Sequence, residues 1–199
     1  KFYDSDFYVD SRVLIPRPET ELLVDYVVKN FKDTIKVLDA GTGSGCIGIS
    51  IALKKSNFKV YGSDFSKNAL DVASINKNKL NVGNYFLVNA NWLSCFKNES
   101  FDLILSNPPY IAENDSHLDN LIHEPKIALT SSEAGLSDIK KIIQESSKIL
   151  KGGGLLIIEH GYNQEDQVKN LLKDNYFLDI FNIKDYQGLP RITYGILDK

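Results

Sequence analysis

Through residues 1–15, apolar or aromatic side chains alternate with polar ones at Phe2, Phe7, Val9, Val13 and Ile15, the pattern expected of a short β-hairpin. The run Pro16-Arg17-Pro18-Glu19-Thr20-Glu21 breaks that alternation. From Glu19 to Phe31 the period lengthens to a helical one, with Leu22, Leu23, Tyr26 and Val27 on one face. A strand–helix rhythm follows. Strands are expected at 35–40, 59–63, 85–89, 102–106 and 155–159, and helices at 46–54, 67–79, 136–150 and 164–173. Two final strands, at 177–183 and 191–197, flank the turn 185–190 and predict an antiparallel hairpin added at one edge. Such alternation implies an α/β fold: a mostly parallel seven-stranded sheet covered by helices on both faces. No repeat, low-complexity tract or internal linker interrupts it.

Composition narrows the class without choosing a chemistry. With 199 residues, 43% of them hydrophobic and 25% charged, the chain has the make-up of one globular domain with a substantial core. No apolar run reaches the length of a membrane span, and no secretory signal pattern is present. Cys46 and Cys95 are far apart and fit reduced, buried thiols of a cytoplasmic protein better than a disulfide. Neither the cysteines nor His117, His123 and His160 have metal-ligand spacing, so no metal is expected. A net charge of −3 gives no footprint for a long nucleic-acid backbone. Arginine occurs only at Arg12, Arg17 and Arg191 in a chain that otherwise uses lysine, which draws attention to places that need a guanidinium fork. The chain opens on Lys1 and lacks methionine, as expected of a fragment or a trimmed chain.

Two segments carry chemistry. The first expected strand runs into Asp39-Ala40-Gly41-Thr42-Gly43-Ser44-Gly45 at the start of a helix. Glycines there let a ligand approach the backbone, and the helix N-terminus favours an anionic group. The second strand ends at Asp64, where a carboxylate can accept from both ribose hydroxyls of a nucleoside. A nicotinamide dinucleotide and S-adenosylmethionine both fit. The tight Gly-x-Gly-x-Gly run preceded by Asp39 favours the methyl donor, and Asn91-Trp92 after the third strand offers an edge and a face for its adenine.

The other segment, Asn107-Pro108-Pro109-Tyr110, ends the strand at 102–106. The prolines stiffen this corner and have no N–H to donate. They leave an amide, bare carbonyls and an aromatic ring where α/β sheets bind ligands. An ordinary strand-ending turn is the plain alternative. With a methyl donor beside it, Asn107 Oδ1 and the Pro108 carbonyl can accept the two N–H bonds of one planar NH2 group, and Tyr110 can stack on it. No catalytic His or Cys is needed.

With these pieces in order, the chain resembles the catalytic domain of the protein-(glutamine-N5) methyltransferases of peptide chain release factors. The match runs through Leu14-Ile15-Pro16-Arg17-Pro18-Glu19-Thr20-Glu21, the glycine loop from Asp39 to Gly45 and Asn107-Pro108-Pro109-Tyr110-Ile111. It continues with Glu124-Pro125, Gly135-Leu136, Glu159-His160-Gly161-Tyr162-Asn163-Gln164 and residues 185–191. The resemblance implies a Rossmann-like class I S-adenosylmethionine-dependent methyltransferase fold over 19–199. Residues 1–18 would join an N-terminal helical domain absent from this sequence. It further implies that Asp39, Gly41, Thr42, Gly43, Ser44, Gly45, Asp64, Asn91, Trp92 and Asn107 hold the donor. Asn107, Pro108, Pro109 and Tyr110 would grip the glutamine of a Gly-Gly-Gln loop, with Arg17 and Glu19 over the site and Glu124-Pro125 as a lid. Asn91, where an acid is frequent, and Ser131-Ser132, in place of a glycine-rich segment, depart from the family pattern. The rival readings are an adenine-N6 or guanine-N2 amino methyltransferase acting on nucleic acid, a nicotinamide oxidoreductase, and a non-catalytic binding module.

Overall fold

The computed structural model describes every residue apart from 117, 119, 120 and 122. A 3-10 turn at Pro18–Thr20 leads into α1 (Glu21–Asn30), and the alternation then begins. It runs β1 (Lys36–Ala40), α2 (Cys46–Lys54), β2 (Lys59–Asp64), α3 (Lys67–Lys79), β3 (Tyr85–Asn89) and β4 (Phe101–Ser106). Beyond β4 come two short strands, β5 (Ile111–Ala112) and β6 (Thr130–Ser131), and a single helical turn, α4 (Ser132–Gly135). The chain ends with α5 (Ser137–Ile149), β7 (Leu150–Glu159), α6 (Glu165–Asp174), β8 (Phe177–Lys184) and β9 (Pro190–Leu197).

The seven long strands form one sheet in the order β3-β2-β1-β4-β7-β9-β8. The first five are parallel, while β9 runs antiparallel between β7 and β8. This is the expected sheet and the expected terminal hairpin. Parallel strands covered on both faces need apolar residues at nearly every position. In β4, Leu103 and Leu105 pack on one face and Ile104 on the other; β7 splits Leu155 and Ile157 from Leu156 and Ile158 in the same way. One core takes Leu23, Val24 and Val27 of α1 with Ile49 and Ile51 of α2, and the opposite core takes Ile139, Ile142 and Ile143 of α5 with Val168 and Leu172 of α6. Spacings of three and four among those isoleucines give α5 its apolar stripe.

Strand order reverses between β1 and β4, whose carboxyl ends lie side by side through the pair Ala40–Ser106. A crevice opens at such a reversal because the two connections leave in opposite directions. Both chemistry-bearing segments start there, one after Ala40 and the other after Ser106.

Residues 1–15 do not form the expected hairpin; their only strand-like contact is an isolated bridge between Phe2 and Ser5. Alternation here has another cause. Phe2 and Val13 are buried against the body of the fold, and side chains replace a partner strand. Asn76 pairs with the Tyr8 backbone at 2.7 and 2.9 Å, Glu21 accepts from Tyr3 N at 2.7 Å, and Glu124 accepts from Ile15 N at 2.8 Å. Of the cysteines, Cys46 is buried as expected but Cys95 is exposed, because it sits in the turn after Trp92 rather than in a core element. Among the described residues no helix is long and apolar enough to cross a membrane.

Tyr85 passes beneath the glycine loop and needs two glycines to do so. A Cβ on Gly48 would lie 2.6 Å from the Tyr85 ring, and one on Gly62 would lie 2.0 Å from its hydroxyl. Gly62→Ala is therefore expected to destabilise the protein by about 1–3 kcal/mol through overpacking, read from urea denaturation. An unchanged midpoint would show that Tyr85 has room to move.

Candidate functional site

The glycine loop is held from below by buried hydrogen bonds. Thr42 donates its hydroxyl to Asp39 Oδ2 and accepts from the Tyr85 hydroxyl at 2.6 Å, while Gly48 N–H donates to the same Asp39 oxygen at 3.0 Å. Burial pushes Asp39 up to about 6, against the pull of the Thr42 and Gly48 donors. Its other oxygen is buried without a partner. Asp39 therefore shapes the loop from underneath.

Above it, Gly41, Gly43 and Gly45 have φ of 74°, 54° and 81°, left-handed values that glycine adopts without strain. Asp64 Oδ2 accepts from Gly43 N–H at 2.9 Å and Oδ1 from Ser66 N–H at 2.8 Å, so each oxygen keeps a lone pair for a ligand. Its carboxyl is raised by burial, opposed by those two backbone donors. One cavity is lined by Gly41, Thr42, Gly43, Ser44, Asp64 and Asn107, and is roofed by Val13, Leu14, Pro16 and Pro125. A side chamber continues between Trp92, Phe65 and Ile127. The Trp92 ring lies against Gly41, where a Cβ would come within 2.8 Å of it, and its Nε1 donates to Asp138 at 3.1 Å. A diol-accepting carboxylate, open backbone over Gly43 and an aromatic-lined chamber suit the ribose, charged tail and adenine of S-adenosylmethionine.

On the other side of Asn107 lies a second, mostly apolar slot lined by Leu14, Arg17, Pro108, Pro109, Tyr110 and Leu129. Asn107, Leu14 and Ala128 line both cavities and so form the wall between them. Asn107 Nδ2 donates to Thr20 Oγ1 at 3.1 Å, which leaves Oδ1 for other partners. The Tyr110 hydroxyl donates to Glu159 Oε1 at 3.2 Å. The Tyr110 carbonyl is pinned as well. Gln164 Nε2 donates to it at 3.1 Å, and a Cβ on Gly135 would approach it to 2.1 Å, which explains a glycine there with φ of 86°.

Most expected residues meet at these two cavities; Asp39, Asn91 and Glu19 do not, and Asp39, expected to hold the donor, is fully buried under the glycine loop and lines neither cavity. Asn91 does not face the donor site: it is exposed, and its Oδ1 accepts from Lys141 at 2.9 Å, because the turn reverses between it and Trp92. Glu19 lines neither cavity. The 3-10 turn rotates it away and buries Thr20 in its place. In the segment that departs from the family pattern, Ser131 Oγ accepts from Asp138 N–H, in the first turn of α5, at 3.1 Å. Arg17 does reach the slot and forms an ion pair with Glu124 at 2.5 Å. Glu124 also holds Ile15 N–H, so it fastens the two roof segments together. Thr20, Glu159, Gln164 and Phe65 were not singled out as site residues; the 14–21 and Glu159–Gln164 runs carried the resemblance without assigning Thr20, Glu159 or Gln164 a role, and Phe65 carried no signal. Among the described residues no three of His, Cys, Asp and Glu gather as metal ligands; His117 lies outside the described residues.

Two measurements follow from this geometry. Asp64→Ala is expected to weaken donor binding by roughly 10- to 100-fold, the worth of charge-assisted hydrogen bonds, by titration calorimetry. Retained affinity would remove Asp64 from the donor site. Glu159 is fully buried, which raises its carboxyl from 4.5 to about 7. A raised folded value means the native state holds the proton more tightly, so its contribution to stability is complete below 4.5 and is lost as pH rises through 7. Glu159→Gln should flatten that decline in denaturation curves taken across the interval, and an unaltered slope would place the titration elsewhere.

Comparison with known proteins agrees with this arrangement. A family model described as a methyltransferase domain matches residues 31–189. The release factor glutamine methyltransferase of Coxiella burnetii is 36% identical over 194 residues, covering 96% of this chain and 70% of that protein. Its namesake from Buchnera aphidicola of Schizaphis graminum is 42% identical over 201 residues, covering 98% and 72%. A methyltransferase structure from Pyrococcus furiosus superposes with a TM-score of 0.73 over 98% of this chain and 89% of that one, at 18% identity. The Thermus thermophilus 16S rRNA N2 G1207 methyltransferase, solved with AdoMet and guanosine, gives 0.68 over 92% and 44%, at 14% identity. These two structures share the fold; the relatives share the sequence, and the chain belongs to the release factor glutamine methyltransferases.

Proposed function

We propose that this protein transfers a methyl group from S-adenosylmethionine to the side-chain amide nitrogen of the glutamine in the Gly-Gly-Gln motif of a peptide chain release factor. The observation that carries this reading is the placement of Asn107 in the wall shared by the two cavities. Any group held by Asn107 from the slot side lies next to the donor cavity. When bound, S-adenosylmethionine supplies a methyl group already activated by its sulfonium, so the hard chemistry is the cofactor's. Asp64, the glycine loop, Trp92 and Phe65 hold it.

The rest falls to this chain's own residues. An amide nitrogen is a weak nucleophile because its lone pair is delocalised. Asn107 Oδ1 and the Pro108 carbonyl accept its two N–H bonds, which orients the nitrogen and counters the positive charge that develops on it. Tyr110 covers the planar face, and the walls of the slot around it are mostly apolar. The nitrogen sheds a proton to water after it gains the methyl group, so no general base has to act first. Arg17 and the roof fastened by Glu124 border the entrance used by the release-factor loop. The names of the relatives support a protein substrate and a cytoplasmic place of work.

Incubation with labelled donor and either a release factor or an adenine-containing oligonucleotide tests the assignment. Label is expected on the Gly-Gly-Gln glutamine; label on the oligonucleotide alone would overturn it. Asn107→Ala is expected to keep donor affinity within a few-fold and to lower kcat by about 100- to 1000-fold, the loss typical of a removed charge-stabilising group. Equal loss of binding and turnover would make Asn107 a donor-site residue.

A further inference from the structure

Gln164 is buried just before α6 and lines neither cavity nor the side chamber. Its amide is nonetheless fully engaged. Oε1 accepts from Gly161 N–H at 2.9 Å, and Nε2 donates to two carbonyls, Tyr110 at 3.1 Å and Ala134 at 3.2 Å. Those bonds join three segments far apart in sequence: the turn after β7, the proline corner and α4. A flipped amide would turn NH2 toward a donor and its oxygen toward two acceptors, so the partners fix this orientation.

Strain collects where the bonds meet. Glu133, Ala134 and Gly135 have φ of 52°, 55° and 86°, and residues with side chains rarely adopt such left-handed values. A Cβ on Gly135 would lie 2.1 Å from the Tyr110 carbonyl oxygen and 2.8 Å from Gln164 Nε2, so only a glycine lets the three groups come together. Strain of this kind persists where the surroundings hold it, and it gathers where orientation matters. The corner itself needs outside support, because Pro108 and Pro109 have no N–H with which to fix it from within.

We infer that Gln164 is the positioning residue of the acceptor slot: by holding the Tyr110 carbonyl against α4, it fixes the angle at which the Tyr110 ring and the Pro108 carbonyl meet the acceptor. Tyr110 then has two fixed points, its hydroxyl on Glu159 and its carbonyl on Gln164. Both come from the end of β7 and the turn that follows it. With the hydroxyl alone held, the ring swings and the corner pivots about Asn107. Gln164 touches no reacting group and acts only through Tyr110. Loss of its two N–H bonds therefore slows transfer and spares the donor cavity on the other side of Asn107.

This inference rests on the reading of Asn107 to Tyr110 as the acceptor grip, and the test separates the two. Gln164→Met keeps the length of the side chain and removes both donors. Gln164→Glu keeps the shape but has at most one proton for two carbonyls. Asn84→Ala is the comparison, since Asn84 clasps the carbonyls of Ala52, Lys55 and Phe58 at 3.2, 3.1 and 3.1 Å just before β3, at the opposite end of the strands. For these variants, the wild type and Asn107→Ala, kcat and KM for a release factor are measured beside donor affinity by calorimetry and stability to urea. Both Gln164 variants are expected to lower kcat by about 10- to 100-fold, the cost of a small misplacement, with donor affinity kept within a few-fold. Asn84→Ala should lose stability and keep kcat within a few-fold. If a folded Gln164 variant matches the wild type while Asn107→Ala is impaired, the inference falls and the proposed function stands. Equal loss of donor affinity and kcat, failure of both Gln164 variants to fold, or an equal loss of kcat in Asn84→Ala would mark a general structural role and also overturn it. Full activity in Asn107→Ala would overturn the proposed grip itself.

Discussion

The parallel pairing of β1 with β4 is the constraint on which the rest of the site depends. Its register ends at Ala40 and Ser106, and the Ser106 hydroxyl clasps the Ala40 carbonyl at 2.7 Å. From that point one strand turns into the glycine loop and the other into the proline corner. Neither segment has freedom to drift, because both start from buried residues of the same sheet. Shifting the pairing by one residue would turn Leu103 and Leu105 to the opposite face and dismantle both cores. The distance between the two cavities is thus set by backbone hydrogen bonds well below them. Positioning of this kind is what methyl transfer demands of a protein that supplies no reactive group of its own.

Three carboxylates are withdrawn from water around this junction, Asp39, Asp64 and Glu159, and burial raises all three. Each is opposed by identifiable donors: Thr42 and Gly48 for Asp39, Gly43 and Ser66 for Asp64, Tyr110 for Glu159. A core built for stability alone would use apolar residues at such places. Here the carboxylates orient a loop, the backbone around Gly43 and the proline corner, and stability is given up in exchange for orientation.

The central sheet was readable in the sequence because its strands are buried on both faces and its helices carry regular stripes. Asp64 and the glycine loop were readable for a local reason, since strand, turn and acid follow one another within β1, α2 and β2. The N-terminal segment misled because alternation records burial of every second side chain, and a coil tied down by Asn76, Glu21 and Glu124 produces the same record as a hairpin. Glu19 and Thr20 are adjacent, and only the pitch of a 3-10 turn decides which one faces inward. Asn91 beside Trp92 poses the same problem at a tight turn. Thr20, Glu159 and Gln164 act through contacts made 30 or more residues away, as in the Gln164 bonds to Ala134 and Tyr110, and no local pattern encodes such contacts. The family resemblance marked the Glu159–Gln164 run as shared without saying that it braces Tyr110.

The chain contains a single tryptophan, and that residue lies against Gly41 at the mouth of the side chamber. Indole emission responds to the polarity of its surroundings and to nearby aromatic rings. All tryptophan fluorescence of this protein therefore originates at the edge of the donor cavity, with the ring held still by Asp138. Under the proposed donor assignment, the fold carries its own optical reporter of cofactor occupancy, free of tryptophan background from any other part of the molecule.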